Sequence, residues 1–535
     1  MKLNKLERLK LRLKPVDFYK KIASLKPEEI GEEERFFLKS FGIYSTKLHP
    51  EKFMIRIRIS AGRESSENLS FIASLAEKKK ASILITSRAQ IELHNLSFDS
   101  VKEIFFSLEA RGMSSWQTLS DNFRNVLCDP LEGLTADSLF DASIYVSEIE
   151  KQFLKNEKFV GTLPRKFNVA LSGRSEPICS FFGNDLFFRG CKDRERIGFD
   201  VYIGGKNGNL ALPFVFINKD DCPDFFRAVM ECYVRYGPRE NRTRARLFHL
   251  LEEVGVEGFR KLLYEFDPPK MEEPLIAEAA KSPSQDEFIK LIDGTFAYRY
   301  QTEFGVVEPK ELKEIIDAAK AEGARVNIGC DQNLYIVGLN SRAFGRKSSY
   351  ERYDILSCAG SRFCIYSLFD TKSAAQKLKS YIKKGIKIGY SGCLKGCARH
   401  ILADIGFVGI RTNGYGMGVE RGVRLYLGAD HINGNFPARL IYWAVPLRRL
   451  DKVVDAIIDE YENSGCESFV DFAHRLQDYG VEFLALWFLA KIEKNHNLRL
   501  DGSEEELKRE LSYMGYDTSN MLNCVKEAQK RVFGP

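Results

Sequence analysis

Residues 56–96, RIRISAGRESSENLSFIASLAEKKKASILITSRAQIELHNL, align without a gap on residues 299–339, RYQTEFGVVEPKELKEIIDAAKAEGARVNIGCDQNLYIVGL, at a constant offset of 243 positions. Gly62 falls opposite Gly305, Leu69 opposite Leu312, Ala76 opposite Ala319 and Ile85 opposite Ile328. Each copy begins with strand-like alternation, breaks at a glycine, continues with the apolar spacing of an amphipathic helix, and ends in a second alternating stretch. Two copies of one small strand–helix–strand unit are therefore expected.

A second echo lies outside the first. KFNVALSG (Lys166–Gly173) parallels GIKIGYSG (Gly385–Gly392), both alternating strands that run into a Ser-Gly turn. The order along the chain is small unit, large unit, small unit, large unit. Directly beyond the second Ser-Gly turn stand Cys393 and Cys397 (CLKGC), and upstream stand Cys358 and Cys364 (CAGSRFC). Four thiolates delivered as two local pairs can hold a [4Fe–4S] cube. Structural zinc usually takes shorter C-x2–4-C knuckles, and four buried cysteines acting as small hydrophobes is the plain alternative.

CAGSRFCIYSLFDTK followed by YSGCLKGCARHILADIGFVG resembles the siroheme- and [4Fe–4S]-containing sulfite and nitrite reductases, most closely their ferredoxin-dependent nitrite reductase branch. The resemblance runs from about Phe53 to about Glu460. It implies an α+β fold with a pseudo-two-fold repeat of ferredoxin-like half-domains and of siroheme- and Fe–S-binding α+β domains. The expected order is a basic N-terminal helical arm (1–50), a first ferredoxin-like half (51–122) and a first siroheme-binding domain (123–266). A linker (267–290), a second ferredoxin-like half (291–345), a [4Fe–4S]/siroheme domain (346–462) and a helical C-terminal tail (463–535) follow. The resemblance makes Cys358, Cys364, Cys393 and Cys397 the cluster ligands, with the Cys397 sulfur bridging the cluster to the siroheme iron.

Siroheme carries many carboxylates, and arginine meets a carboxylate bidentately with its planar fork. By the same resemblance Arg58 and Arg124 are the substrate-binding arginines and Lys166 the active-site lysine. Arg88, Arg165 and Arg244 are siroheme carboxylate ligands, and Arg56, Thr86, Asn125, Gln332 and Asn333 are further cofactor contacts. Of Arg56 and Arg58, one is expected to face the pocket. Cationic Arg58, Arg124 and Lys166 would bind an oxyanion and stabilise charge that builds on a departing oxygen, with Lys166 the better proton relay. Asn168 stands where sulfite-reducing members generally carry a second lysine, and one cation fewer suits the singly charged nitrite. Nitrite reduction to ammonia is the expected activity, with sulfite reduction to sulfide the alternative. A precorrin-3B synthase-like activity and a non-enzymatic metal-binding protein are the more distant readings. Two departures stand out: Leu394 and Lys395 occupy the Pro and Asn positions of the family's CPN-x-C loop, and Glu92 stands where glutamine is usual.

Composition narrows the rest. A chain of 535 residues with 44% apolar residues suits several ordinary soluble domains. The formal net charge of +6 is spread along the chain, which gives no case for nucleic acid but suits an acidic protein partner or an anionic ligand. The basic, leucine-interleaved first twenty residues lack a signal-peptide core, and the longest apolar run, Phe483–Ala490, is too short to span a bilayer. Twelve cysteines do not form a disulfide framework, and a reducing cytoplasm is expected. GGKNG (Gly204–Gly208) is not a dinucleotide-binding turn, so electrons are expected from a ferredoxin or, second, a flavoprotein.

Overall fold

The computed structural model describes residues 3–206, 208–275, 286–378, 385–416, 418–494 and 503–534. Residues 276–285 of the expected linker and 495–502 of the expected tail lie outside the described residues. The chain divides into two compact units, Met1–Lys206 with Leu210–Glu351, and Asn207–Asn209 with Arg352–Pro535.

The first unit contains both small repeats. Strands β1 (Ile43–Ser45), β2 (Phe53–Ile57), β3 (Ser82–Ile85) and β4 (Ile91–Leu96) form one sheet in the order β1-β2-β4-β3. A second sheet comes from β9 (Phe288–Lys290), β10 (Phe296–Tyr300), β12 (Arg325–Ile328) and β13 (Leu334–Leu339), in the order β12-β13-β10-β9. The short β11 (Val306–Val307) of the second copy adds to the edge of the first sheet beside β3. Every matched element keeps the 243-residue offset: β2 with β10, β3 with β12, β4 with β13, and helix Ser66–Lys78 with helix Pro309–Ala321.

Local chemistry explains the helices. Ser65 caps the first by accepting from the Asn68 amide, and Pro309 opens the second. Their apolar faces, Leu69, Ile72 and Ala76 against Leu312, Ile315 and Ala319, are buried, and the two helices pack on each other. The glycines shared by the repeats sit at reciprocal close approaches. A Cβ on Gly62 would lie 2.2 Å from the Ile328 carbonyl, and one on Gly305 would lie 2.4 Å from that of Ile85. Both have positive φ, so glycine is required there twice over.

The larger repeat also recurs. In the first unit β5 (Val169–Ser172) runs parallel to β6 (Leu186–Asp193), which pairs antiparallel with β7 (Arg196–Ile203) and then β8 (Leu212–Asn218). In the second unit β14 (Ile355–Ser357), β15 (Ile388–Ser391) and β16 (Ile405–Thr412) are parallel, followed by antiparallel β17 (Glu420–Leu427) and β18 (Arg439–Pro446). β5 and β15 are the strands of KFNVALSG and GIKIGYSG.

Phe483–Ala490 falls within helix Val481–Lys494 and is buried in the second unit, where the Tyr442 hydroxyl donates to the Ala485 carbonyl. Among the described residues no helix is long and apolar enough to cross a membrane. One feature departs from the expectation of free thiols: Cys179 and Cys330, 151 residues apart, form a disulfide within the first unit. Non-local packing brings them together, so no local cysteine spacing announces the bond.

Candidate redox and anion-binding site

The first unit gathers a cluster of cations around paired backbone segments. A parallel bridge joins Phe123 to Phe167, with the Arg124 amide donating to the Phe167 carbonyl (2.8 Å) and the Phe167 amide to the Asn122 carbonyl (2.9 Å). Arg124 and Lys166 thus lie on adjacent segments. Both phenylalanines are fully buried on an aromatic floor that includes Phe226 and Phe153. Burying each ring contributes about 1.5–3 kcal/mol, which fixes the segments that carry the charges.

Arg124 is buried, and its guanidinium donates to the carbonyls of Thr118 and Ser120. Burial first, and then the charges of Arg56, Arg88 and Arg165, push Arg124 well below the ordinary arginine value. Arg56, Arg88 and Arg165 therefore lie within electrostatic reach of Arg124. Arg56 is half-buried and donates to Glu92 Oε1 at 2.7 Å, while His94 Nε2 lies 2.8 Å from the other carboxylate oxygen. Burial alone would raise the Glu92 carboxyl, but Arg56 and His94 hold it at about 2. The unusual Glu92 is thus the counter-ion of Arg56.

Arg58 takes a different course from Arg56. It is 3% exposed, lies over the Phe123 ring, and donates to Glu150 Oε1 (3.0 Å) and the Arg124 carbonyl (3.1 Å). Glu150, on helix Ser143–Phe153, also accepts from Ser60. Arg88 and Arg165 are half-buried; Arg88 reaches Asn184 Oδ1 at 3.4 Å, and Arg165 stands 3.6 Å from Asp121. The Arg244 side chain is 58% exposed and paired with Glu252. Its neighbour Arg246, which the sequence reading passed over, is buried in a bidentate pair with Asp185 (2.8 and 2.6 Å).

Several expected contacts serve as scaffolding in this structure. Asn125 is fully buried, donating to the carbonyls of Ile59 and Arg88 and accepting from the Ile59 amide. It locks the Arg58 and Arg88 segments together. Thr86 accepts from the amides of Arg88 and Gln90 and shapes that turn. Gln332 donates to the Ile85 carbonyl, and Asn333 accepts from Gln301 and the Thr302 amide.

Unpaired polar atoms mark the places where a ligand fits. Asn168 is 4% exposed and its Oδ1 has no hydrogen-bond partner. Both amide atoms of the fully buried Gln90 are in the same condition. A buried polar atom left unpaired costs about 1–3 kcal/mol. Together with the arginine cluster, these atoms suit a large anionic, hydrogen-bonding group such as a polycarboxylate tetrapyrrole.

In the second unit topology assembles the cysteines. β14 and β15 are adjacent and parallel with Ser357 opposite Tyr390, so Cys358 and Cys393 leave the carboxyl ends of neighbouring strands. Such strand ends are where open α/β sheets place ligands. Cys364 closes the short helix Gly360–Phe363, and Cys397 follows the turn at Gly396. The Gly392 amide donates to Cys358 Sγ at 3.2 Å, the kind of bond that stabilises a thiolate. Burial pushes the Cys364 and Cys393 thiols up. Cys364 also feels Cys358 and Cys393, and Cys393 feels Cys397 and Cys358. Cys358 and Cys393 therefore lie within electrostatic reach of Cys364, and Cys358 and Cys397 within that of Cys393. Among the described residues no three His, Cys, Asp or Glu converge as ligands of a single ion. A cube takes one thiolate at each iron corner, so its ligands stand apart. Cys397 is exposed and the other three partly so. Lys395 lies over the ring of Tyr366, 3.0 Å from its centroid.

Comparison with known proteins places the chain in a family. The nitrite and sulphite reductase 4Fe-4S domain matches residues 119–268 and 351–495, and the nitrite/sulfite reductase ferredoxin-like half domain matches residues 47–111. A ferredoxin–nitrite reductase of Synechococcus elongatus is 28% identical over 464 residues, 80% of this chain and 90% of that one. A sulfite reductase (ferredoxin) of Mycobacterium tuberculosis is 26% identical, over 81% and 84% of the two chains. The solved structure of the Mycobacterium tuberculosis NirA protein shares the fold with a TM-score of 0.81, at 24% identity, covering 90% of this chain and 97% of that one. With family models over more than half its length, the chain belongs to the nitrite and sulphite reductase 4Fe-4S family.

Proposed function

We propose that the chain reduces a small oxyanion by six electrons at a siroheme coupled to a [4Fe–4S] cluster, with nitrite to ammonia preferred over sulfite to sulfide. The observation that carries this reading is the placement of two cysteine pairs at the carboxyl ends of adjacent parallel strands. In this assignment Cys358, Cys364, Cys393 and Cys397 would hold the cluster, with Cys397 the residue shared with the siroheme. Arg56, Arg88, Arg165 and Arg244 hold siroheme carboxylates, with Thr86, Asn125, Gln332 and Asn333 completing or supporting those contacts. When bound, the paired cofactors store electrons and deliver them singly to the substrate atom.

The chain's own residues do the rest. Arg124 and Lys166 hold the anion and oppose charge on the departing oxygen. Arg58, balanced by Glu150, adds less net charge and also holds the Arg124 backbone. Lys166 supplies protons from its Nζ, since an ammonium can release one where a guanidinium cannot. Asn168, in the place of a second lysine, favours the less charged anion. The electron donor is a ferredoxin, with a flavoprotein as runner-up, and the compartment is the cytoplasm. The seven segments follow one another in the expected order, with the first ferredoxin-like half reaching back to β1 (Ile43–Ser45) and the second to β9 (Phe288–Lys290).

The test is turnover by anaerobically purified protein with reduced ferredoxin. Ammonia formed from nitrite, with the optical bands of siroheme, is the expected result. A protein that forms neither ammonia from nitrite nor sulfide from sulfite would overturn the reading.

A further inference from the structure

The N-terminal arm had no assigned role, yet its helix Lys5–Arg12 reaches the segments that carry Arg124 and Lys166. Asn4 caps this helix by accepting from the amides of Leu6 and Glu7, and its own amide donates to the Arg239 carbonyl at 2.7 Å. On the inner face Lys10 and Glu7 are 8% and 4% exposed. Lys10 Nζ contacts Glu7 Oε1 at 2.6 Å, Asp121 Oδ2 at 2.9 Å and the Leu163 carbonyl at 2.8 Å. Asp121 lies three residues before Arg124, and Leu163 three before Lys166. One ammonium thus joins the two segments.

The electrostatics give this contact its meaning. Asp121 is fully buried and faces Lys10, Arg242 (2.8 Å to each oxygen) and Arg165 (3.6 Å), while Glu7 also pairs with Arg239. Burial would raise the Asp121 carboxyl, but Lys10 and Arg242 hold it at about 2. It is therefore a fixed negative charge beside arginines meant for anions. Without Lys10 more of that charge would fall on Arg165 and Arg124, weakening their hold on a ligand.

Taking Arg124 and Lys166 as the anion-binding pair proposed above, we propose that Lys10 is a positioning residue of this site. It neutralises Asp121 and thereby keeps the positive field of Arg124 and Arg165 available to the bound oxyanion. The N-terminal helix is then part of the active site rather than a peripheral arm.

The experiment compares Lys10→Met holoenzyme with the parent by optical titration of the oxidised protein with nitrite, alongside steady-state kinetics. The nitrite Kd and KM should rise about tenfold with kcat within about twofold, the size of one charge interaction. Lys10→Met/Asp121→Asn, which removes both partners, should bring Kd back to within about threefold of the parent. A helix that only anchors the arm would show no such rescue. Parental nitrite binding in Lys10→Met, or a double variant no better than the single one, would overturn the proposal. Should the single variant fail to fold, the double variant decides: parental Kd supports the coupling, and weak binding or unfolding refutes it. A parent that binds neither nitrite nor sulfite would overturn the functional reading and this inference with it, whereas a binding-competent parent with an unaffected Lys10→Met variant overturns this inference alone.

Discussion

The turns at the ends of β5 and β15 share a sequence frame, Ser172-Gly173-Arg174 and Ser391-Gly392-Cys393, but are closed by opposite chemistry. In the first, Arg174 is 5% exposed and tied to Asp129 (2.7 Å) and Asp137 (3.0 Å), an internal ion-pair network. In the second, the equivalent position is the partly buried thiol of Cys393. The small repeats differ in the same way: Arg58 of the first copy aligns with Gln301 of the second, which is spent on Asn333. The same Ser-Gly turn is followed by a buried ion-paired arginine in the first copy and by a cysteine in the second. Backbone geometry and site chemistry are separable, and the repeat preserves only the former.

The largest effect should come from the thiol side. Cys397→Ser and Cys393→Ser should each abolish turnover and the coupled cluster signal, read by iron and sulfide content and by electron paramagnetic resonance. Retention of a complete cluster with parental turnover would remove either residue from the ligand set. At the matching position of the first copy, Arg174→Gln should act on stability instead. Breaking a buried ion pair typically costs about 3–5 kcal/mol, which urea unfolding of the holoenzyme would measure, while the cluster signal of the folded fraction stays parental.

Arg124→Ala and Lys166→Ala should leave the cofactors in place but lower turnover about a hundredfold, the loss expected for one charge-stabilising donor. Rates within a few-fold of the parent at saturating nitrite would place both residues outside the site. The smallest shift concerns Asn168. Asn168→Lys should move the ratio of kcat/KM for nitrite over sulfite about tenfold toward sulfite, measured at matched ionic strength. An unchanged ratio would show that this position does not select the anion.

Much of this architecture was legible in the sequence because the repeat preserves hydrophobic period and glycine position. The 243-residue offset located four pairs of elements, and the Ser-Gly turns located β5 and β15. The two cysteine pairs stand out in the sequence because each lies in a short local spacing. Partnerships formed across distance were not. Nothing in the order of residues shows that Glu92 balances Arg56, that Glu150 neutralises Arg58, or that Lys10 reaches Asp121. The Cys179–Cys330 bond is of the same kind. The residue types of Asn125 and Gln332 suggest ligand contact, but not that their amides also donate to the backbone carbonyls of Ile59, Arg88 and Ile85. Arg246 was passed over beside Arg244 because burial, which separates the two, is a property of the packed molecule.

The central proposal is that the chain carries a [4Fe–4S] cluster together with a siroheme. The most direct test is metal and sulfide analysis of anaerobically purified protein, with its optical spectrum. The account predicts one [4Fe–4S] cube and one siroheme per chain, with strong Soret and red bands. Zinc in place of iron, or an iron–sulfur spectrum that lacks tetrapyrrole bands even after siroheme is supplied, would contradict it.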